Sequence, residues 1–161
     1  MDDAELESII DELETAAERA AQTIARVPPG RWADPIHTGD GAWTRHQLLC
    51  HLAANDTRQL VRIRIGAGMA EPGDAAAHEA ELDTASWNRE RVAERAGHPP
   101  AALLDEMLAN RGALIDLLRS LSTAQRARPI PYRGVPTPIA EAVPTLIGHY
   151  DAHLDELVSG L

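Results

Sequence analysis

The sequence predicts an all-α fold, a four-helix bundle with a broken third helix and long connections. Three observations predict it. Apolar residues recur at three- and four-residue spacing over several long stretches, the signature of amphipathic helices. No stretch alternates convincingly as a strand. Apolar residues make up 44% of the chain but none is Phe, so the core is built from Leu, Ile, Val and Ala, which suits closely packed helices.

The first helix is expected from about Asp3 to Val27. Leu6, Ile9, Ile10, Leu13, Ala17, Ala20, Ile24 and Val27 fall on one face, and acidic residues fill most of the other. Pro28-Pro29-Gly30 ends it, because proline cannot continue a helix. A connector follows to Trp43, carrying Pro35, Gly39 and Gly41. Thr44 with Gln47 three residues later forms a capping-box signature and opens the second helix. Leu48, Leu49, Leu52, Val61 and Ile63 carry it to about residue 66.

The third helix is expected in two pieces. One runs from about Ala76 to Arg95 with a thin apolar face, and Gly97-His98-Pro99-Pro100 interrupts it. The other starts near Pro100, since proline is favoured in a first helical turn, and runs to about residue 120 on a strong leucine stripe. Pro129, Pro131, Gly134 and Pro136 exclude regular helix from the next stretch. Thr137-Pro138 then reads as a cap followed by proline in the first turn. The last helix reaches about Val158, with Pro144 inside it. The length of 161 residues fits a single domain, 1–161, with a sizeable core.

The formal net charge is −10. There is no basic run; Arg45, Arg58, Arg62 and Arg64 are spaced like the outer face of one helix. A nucleic-acid partner is therefore not expected. No apolar run approaches the ~18 residues of a spanning helix, and the acidic start does not read as a signal peptide. A single cysteine, Cys50, fits a reducing compartment. The expected location is cytoplasmic, with no membrane partner.

Seven histidines carry the chemistry. His37, His46, His78 and His98 lie in expected loops, a first turn and an acidic stretch, and read as solvated surface residues. His149 and His153 are four apart, so they stack on one helical face. They continue the apolar stripe of Leu146, Tyr150 and Leu157. Two imidazoles so placed can chelate one divalent ion, as in the HExxH motif, although the glutamate of that motif is missing here. His51 lies between Leu48 and Leu52 on the second helix. If the second and last helices face each other, His51 gives a third nitrogen. Three histidines without a fourth protein ligand leave open positions, the pattern of a catalytic site. The plainer reading is a surface pair plus a satisfied core histidine.

Trp43-Thr44 followed by Leu48, Leu49, His51, Leu52 and Ala53 resembles a conserved segment of the DinB/YfiT-like superfamily. Gly148 to Leu154 resembles that family's final H-x-x-x-H helix. Trp87-Asn88 and the segment Ala101 to Leu121 are similar to its third helix. The likeness covers nearly the whole chain in order. It implies a four-helix bundle with one divalent metal (Zn, Ni, Mn or Fe) on His51, His149 and His153. Better understood members use low-molecular-weight thiols such as mycothiol and bacillithiol, or isomerise maleylpyruvate with mycothiol. Related bundles act as self-resistance proteins, and dimers are common in the family.

The resemblance thus implies a transferase that moves a group between a thiol cosubstrate and a small electrophile. Arg111 matches a recurrent family arginine and is expected either to hold an anionic group of the cosubstrate or to be a solvated helix arginine. Asn55 and Asp56, a turn after His51, are expected either to orient a bound ligand or to lie on the surface. Trp87 is a substrate platform or core packing. Cys50, adjacent to His51, points about 100° away from it on a helix and reads as a small buried residue. Metal-dependent hydrolysis is the alternative. It needs a general base, and Asp151 and Glu156 are expected to face away. Non-catalytic binding of a small molecule is the third reading.

Overall fold

The first helix, α1 (Asp3–Ala25), begins where Asp2 accepts from the Glu5 backbone N–H and Glu5 bonds back to Asp2 N. The computed structural model describes residues 1–38, 41–80, 83–132 and 134–161; Gly39 of the expected connector lies outside them. After a short 3₁₀ turn at Pro29–Arg31, β1 (Pro35–Thr38) pairs antiparallel with β2 (Gly41–Thr44), Pro35 opposite Thr44. The long α2 (Arg45–Ala67) follows directly, then α3 (Asp74–Ala80), α4 (Thr84–Arg95) and α5 (Pro100–Ser120). A single turn, α6 (Thr123–Arg126), leads into β3 (Ile130–Tyr132), paired with β4 (Val135–Thr137), and α7 (Ile139–Val158) completes the fold.

Four long helices form the bundle. α1 packs against α5 and α7, and α2 packs against the same two, so α1 and α2 occupy opposite corners. The fully buried core is Ile10 and Leu13 of α1, Leu48, Leu49, Leu52 and Ile63 of α2, Leu103, Leu114 and Leu118 of α5, and Leu146, Tyr150 and Leu157 of α7. α4 lies outside the bundle against α2. Its thin apolar face reduces to Trp87 and Val92. The expected broken third helix is therefore an excursion, α3 and α4, before the core helix α5.

Two expectations change. The connectors expected to be irregular hold β1–β2 and β3–β4. Pairs of three or four residues are too short for an alternating pattern, and their prolines are tolerated because a two-stranded ladder consists of edges. Thr137 does not cap α7. Its hydroxyl bonds Val135 O, and Pro138 takes the capping position with an extended backbone. α7 continues through Pro144.

The β3–β4 hairpin docks on the end of α2 at Gly66. A Cβ there would lie 2.6 Å from Ile130 Cγ2 and 2.8 Å from Pro129 O. α2 closes at Gly68, whose φ of 74° is the left-handed conformation glycine adopts without penalty. Among the described residues, no helix is long and apolar enough to cross a membrane.

Candidate metal centre

The register of α2 is set at its N-cap. Thr44 accepts from Gln47 N at 3.2 Å while Gln47 Oε1 accepts from Thr44 N at 2.9 Å. With the start fixed, Leu48, His51, Leu52 and Asn55 turn inward and are buried. The opposite wall is α7, which carries His149 and His153 one turn apart. The two walls are tied together. Arg45, in the first turn of α2, donates through Nε to Leu157 O at 2.8 Å and through Nη2 to Ser159 O. It thereby takes up carbonyls that the end of α7 leaves without helical partners.

Between these walls the three imidazoles converge. Ring centroids are 5.7 Å apart for His51–His149, 5.3 Å for His51–His153 and 4.4 Å for His149–His153. One nitrogen from each lies within 4.8 Å of the other two, and His51 Nε2 is 3.4 Å from His149 Nε2. His51 and His153 are buried and His149 is half-buried. Burial first, then the neighbouring His153 and His149 and the charge of Arg58, lower the His51 pKa to about 3; Asn88 acts in the opposite sense. His51 is thus a neutral ring with a lone pair, the form that ligates metals.

The hydrogen-bond inventory points the same way. Glu156, one turn after His153, accepts from His153 Nδ1 at 2.7 Å. With its proton on Nδ1, His153 presents the lone pair of Nε2. That Nε2 is buried without a hydrogen-bond partner. Buried polar atoms are nearly always satisfied, so an orphan within a nitrogen cluster marks a place for a ligand. Three imidazoles around one point, one of them held by a carboxylate, suit a divalent transition metal. Among the described residues, this group contains only the three histidines.

The other expected site residues lie elsewhere. Arg111 is neither solvated nor free to take an anion. Its Nε and Nη2 donate to Asp56 at 2.8 and 3.2 Å, its Nη1 donates to Leu13 O at 3.3 Å, and its guanidinium lies over the Tyr150 ring. Asp56 serves this buried pair instead of orienting a ligand at the triad. Burial raises its carboxyl against the pull of Arg111, and burial likewise opposes the charge of Arg111, which Asp56 nonetheless holds above its ordinary value. Tyr150 OH donates to Leu52 O, and burial keeps that hydroxyl protonated. Asn55 is buried on the inward face of α2, not on the surface. Trp87 is buried on α4 with the Arg58 guanidinium 4.5 Å from its ring centre.

Cys50 is fully buried, and burial first of all pushes its thiol up to about 11. Its sulfur lies 3.6 Å from His46 Nδ1, and His46 Nε2 donates to His98 O at 2.7 Å. His46 is therefore packed and bonded, not a free surface residue. His78 lies on α3, and the His37 side chain falls outside the description.

Three participants were not foreseen. Glu156 was expected to face away, yet its spacing of three from His153 puts it on the same helical face. Asp151 does point elsewhere, pairing with Arg19 at 2.6 Å. The Trp43 ring stands 5.2 Å from that of His51, and Asn88 approaches His51 from α4. Their proximity depends on how α4 and the β1–β2 hairpin pack.

Fold and site together define a helical-bundle protein whose interior offers three convergent imidazoles, an arrangement able to hold one metal ion. The family model of the DinB superfamily matches residues 37–157, a span that includes all three histidines. The chain belongs to the DinB superfamily. No curated protein and no solved structure matches it.

Proposed function

We propose that this chain is a metal-dependent transferase joining a low-molecular-weight thiol, of the mycothiol type, to a small electrophile. One observation carries the reading: a cluster of three imidazoles in which His153 Nε2 is buried without a hydrogen-bond partner, with no fourth ligand beside it among the described residues. A divalent ion there would be held by His51, His149 and His153. When bound, it supplies a Lewis acid with open positions that favours the thiolate of a thiol ligand.

The residues of the chain prepare that chemistry. Burial keeps His51 unprotonated across the physiological range. Glu156 holds the His153 proton on Nδ1 and so orients Nε2. Cys50 is buried with its proton held, so the reacting sulfur comes from a cosubstrate. Glu156, the carboxylate bonded to the triad, is engaged by His153, so it does not act as the free base a hydrolase needs.

The test begins with elemental analysis of untagged protein and its His51→Ala variant. About one equivalent of a transition metal, lost in the variant, is expected. The loaded protein is then incubated with mycothiol, bacillithiol or cysteine and 1-chloro-2,4-dinitrobenzene. Consumption of one thiol above the rate of the His51→Ala variant supports the reading. Equal rates in both proteins for every thiol overturn it.

A further inference from the structure

Beside the triad, an open cleft of about 650 Å³ separates α4 from the start of α2. Its volume lies within the range of small-molecule sites. One wall is a face of α4 at helical spacing, Ala85, Asn88, Arg89, Val92 and Ala93, continued by Ala96 just past its end. The other is Trp43 of β2 with Gln47 of α2. Small side chains on α4 leave the space, and Trp43 offers a flat apolar surface across it.

Two lining residues are also neighbours of the metal centre. The Trp43 ring is 5.2 Å from the His51 ring, and Asn88, itself buried, acts on His51 from α4. A molecule in the cleft is therefore one side chain away from the triad. The charge pattern is equally specific. The chain carries a net charge of −10, yet among the described residues no carboxylate lines the cleft and the one charged lining residue is Arg89. Arg89 is exposed and donates to Ser86 Oγ at 2.8 Å. The exposed Asp83 lies close enough to feel its charge.

We propose that this cleft binds a small molecule with a flat apolar body and one anionic group, the body against Trp43 and Val92 and the anion toward Arg89. Naming that molecule as the electrophilic substrate rests on the transferase reading above; the binding site itself does not.

Two fluorescent probes share a naphthylamine body and differ by a sulfonate: 8-anilinonaphthalene-1-sulfonate and N-phenyl-1-naphthylamine. Ala93 is exposed on α4, so Ala93→Trp fills the cleft without disturbing the core. Ala85→Trp fills it from the other end, should the first variant fold poorly. Titrated into metal-loaded protein, both probes are expected to lose about tenfold or more in affinity in the filled variants, where the added ring clashes with them. Arg89→Ala should weaken the sulfonate probe by about two- to fivefold, the scale of an exposed ion pair, and leave the neutral probe unchanged. Binding of the sulfonate probe at the wild-type level by both filled variants overturns the site. Equal effects of Arg89→Ala on the two probes overturn the anionic preference. The two readings fail separately. Thiol transfer at the full rate in Ala93→Trp rejects the cleft as the substrate site while leaving the transferase standing. Absence of transfer with every thiol, alongside loss of probe in Ala93→Trp, rejects the transferase and keeps the cleft as a binding site.

Discussion

Glu156 is the residue whose removal speaks most directly to the metal centre. It touches no metal position itself; it holds the His153 proton on Nδ1 across 2.7 Å. Loss of such a partner costs metal affinity about 10- to 100-fold, or about 1.4 to 2.7 kcal/mol. The geometry narrows this range. The Glu156 side chain is 31% exposed against 9% for His153, so solvent screens part of its charge. Glu156→Gln keeps an acceptor oxygen and loses the charge, and should weaken zinc binding by ~10-fold or less. Glu156→Ala also frees the ring to turn, and should cost ~30-fold. Asp155→Asn is the control: it removes the same charge one residue away, without contact to His153, and should change affinity by no more than about twofold. The assay is equilibrium competition for zinc against a chromophoric chelator at neutral pH, with circular dichroism to confirm the fold. If Glu156→Ala binds zinc within twofold of wild type, or if Asp155→Asn matches it, the orienting role is refuted.

Three further outcomes concern the frame around the site. Arg111→Met strands the carboxylate of Asp56, which has no exposure at all, and should destabilise the fold by about 3–5 kcal/mol in urea unfolding, whereas Asp56→Leu combined with Arg111→Met should recover most of that loss. Gly66→Ala gains helix propensity of up to ~1 kcal/mol. It also forces a methyl to within 2.8 Å of a backbone oxygen, so a net loss of about 1–2 kcal/mol is expected in thermal unfolding. Arg64 donates to both oxygens of Asp74 at 2.8 and 2.6 Å and holds that carboxyl below its ordinary pKa. A depressed carboxyl contributes stability above its unfolded value, about 3.9, and loses it as pH falls through the folded value. Asp74→Asn should therefore cost about 1–3 kcal/mol at pH 7, and the difference from wild type should shrink below about pH 4 in unfolding curves taken across pH.

The sequence made the helices and the convergent histidines readable for local reasons. The stripe through Leu146, His149, Tyr150 and His153 reports a buried face whatever it packs against, and Thr44 with Gln47 marks a helix start on its own. What surrounds the triad was hidden because it depends on how helices rotate against one another. Arg111 and Asp56 are 55 positions apart, and nothing in periodicity says that their side chains meet. Asn88 and Trp43 reach His51 only because α4 and the β1–β2 hairpin lie against α2. Glu156 was the exception, since its spacing of three from His153 was there to be read.

The link from Arg45 to the last carbonyls of α7 has a consequence for how a metal ion at the triad would come and go. The two helices that present the imidazoles are joined by a guanidinium whose hydrogen bonds are indifferent to what sits among the histidines. A metal ion at this site would thus meet three imidazoles already brought together, unlike a zinc finger, in which metal and fold form together. A protein so built would be expected to lose and regain a metal ion at this site without unfolding. Its occupant is then chosen by supply more than by architecture, and one chain could serve under different metal regimes.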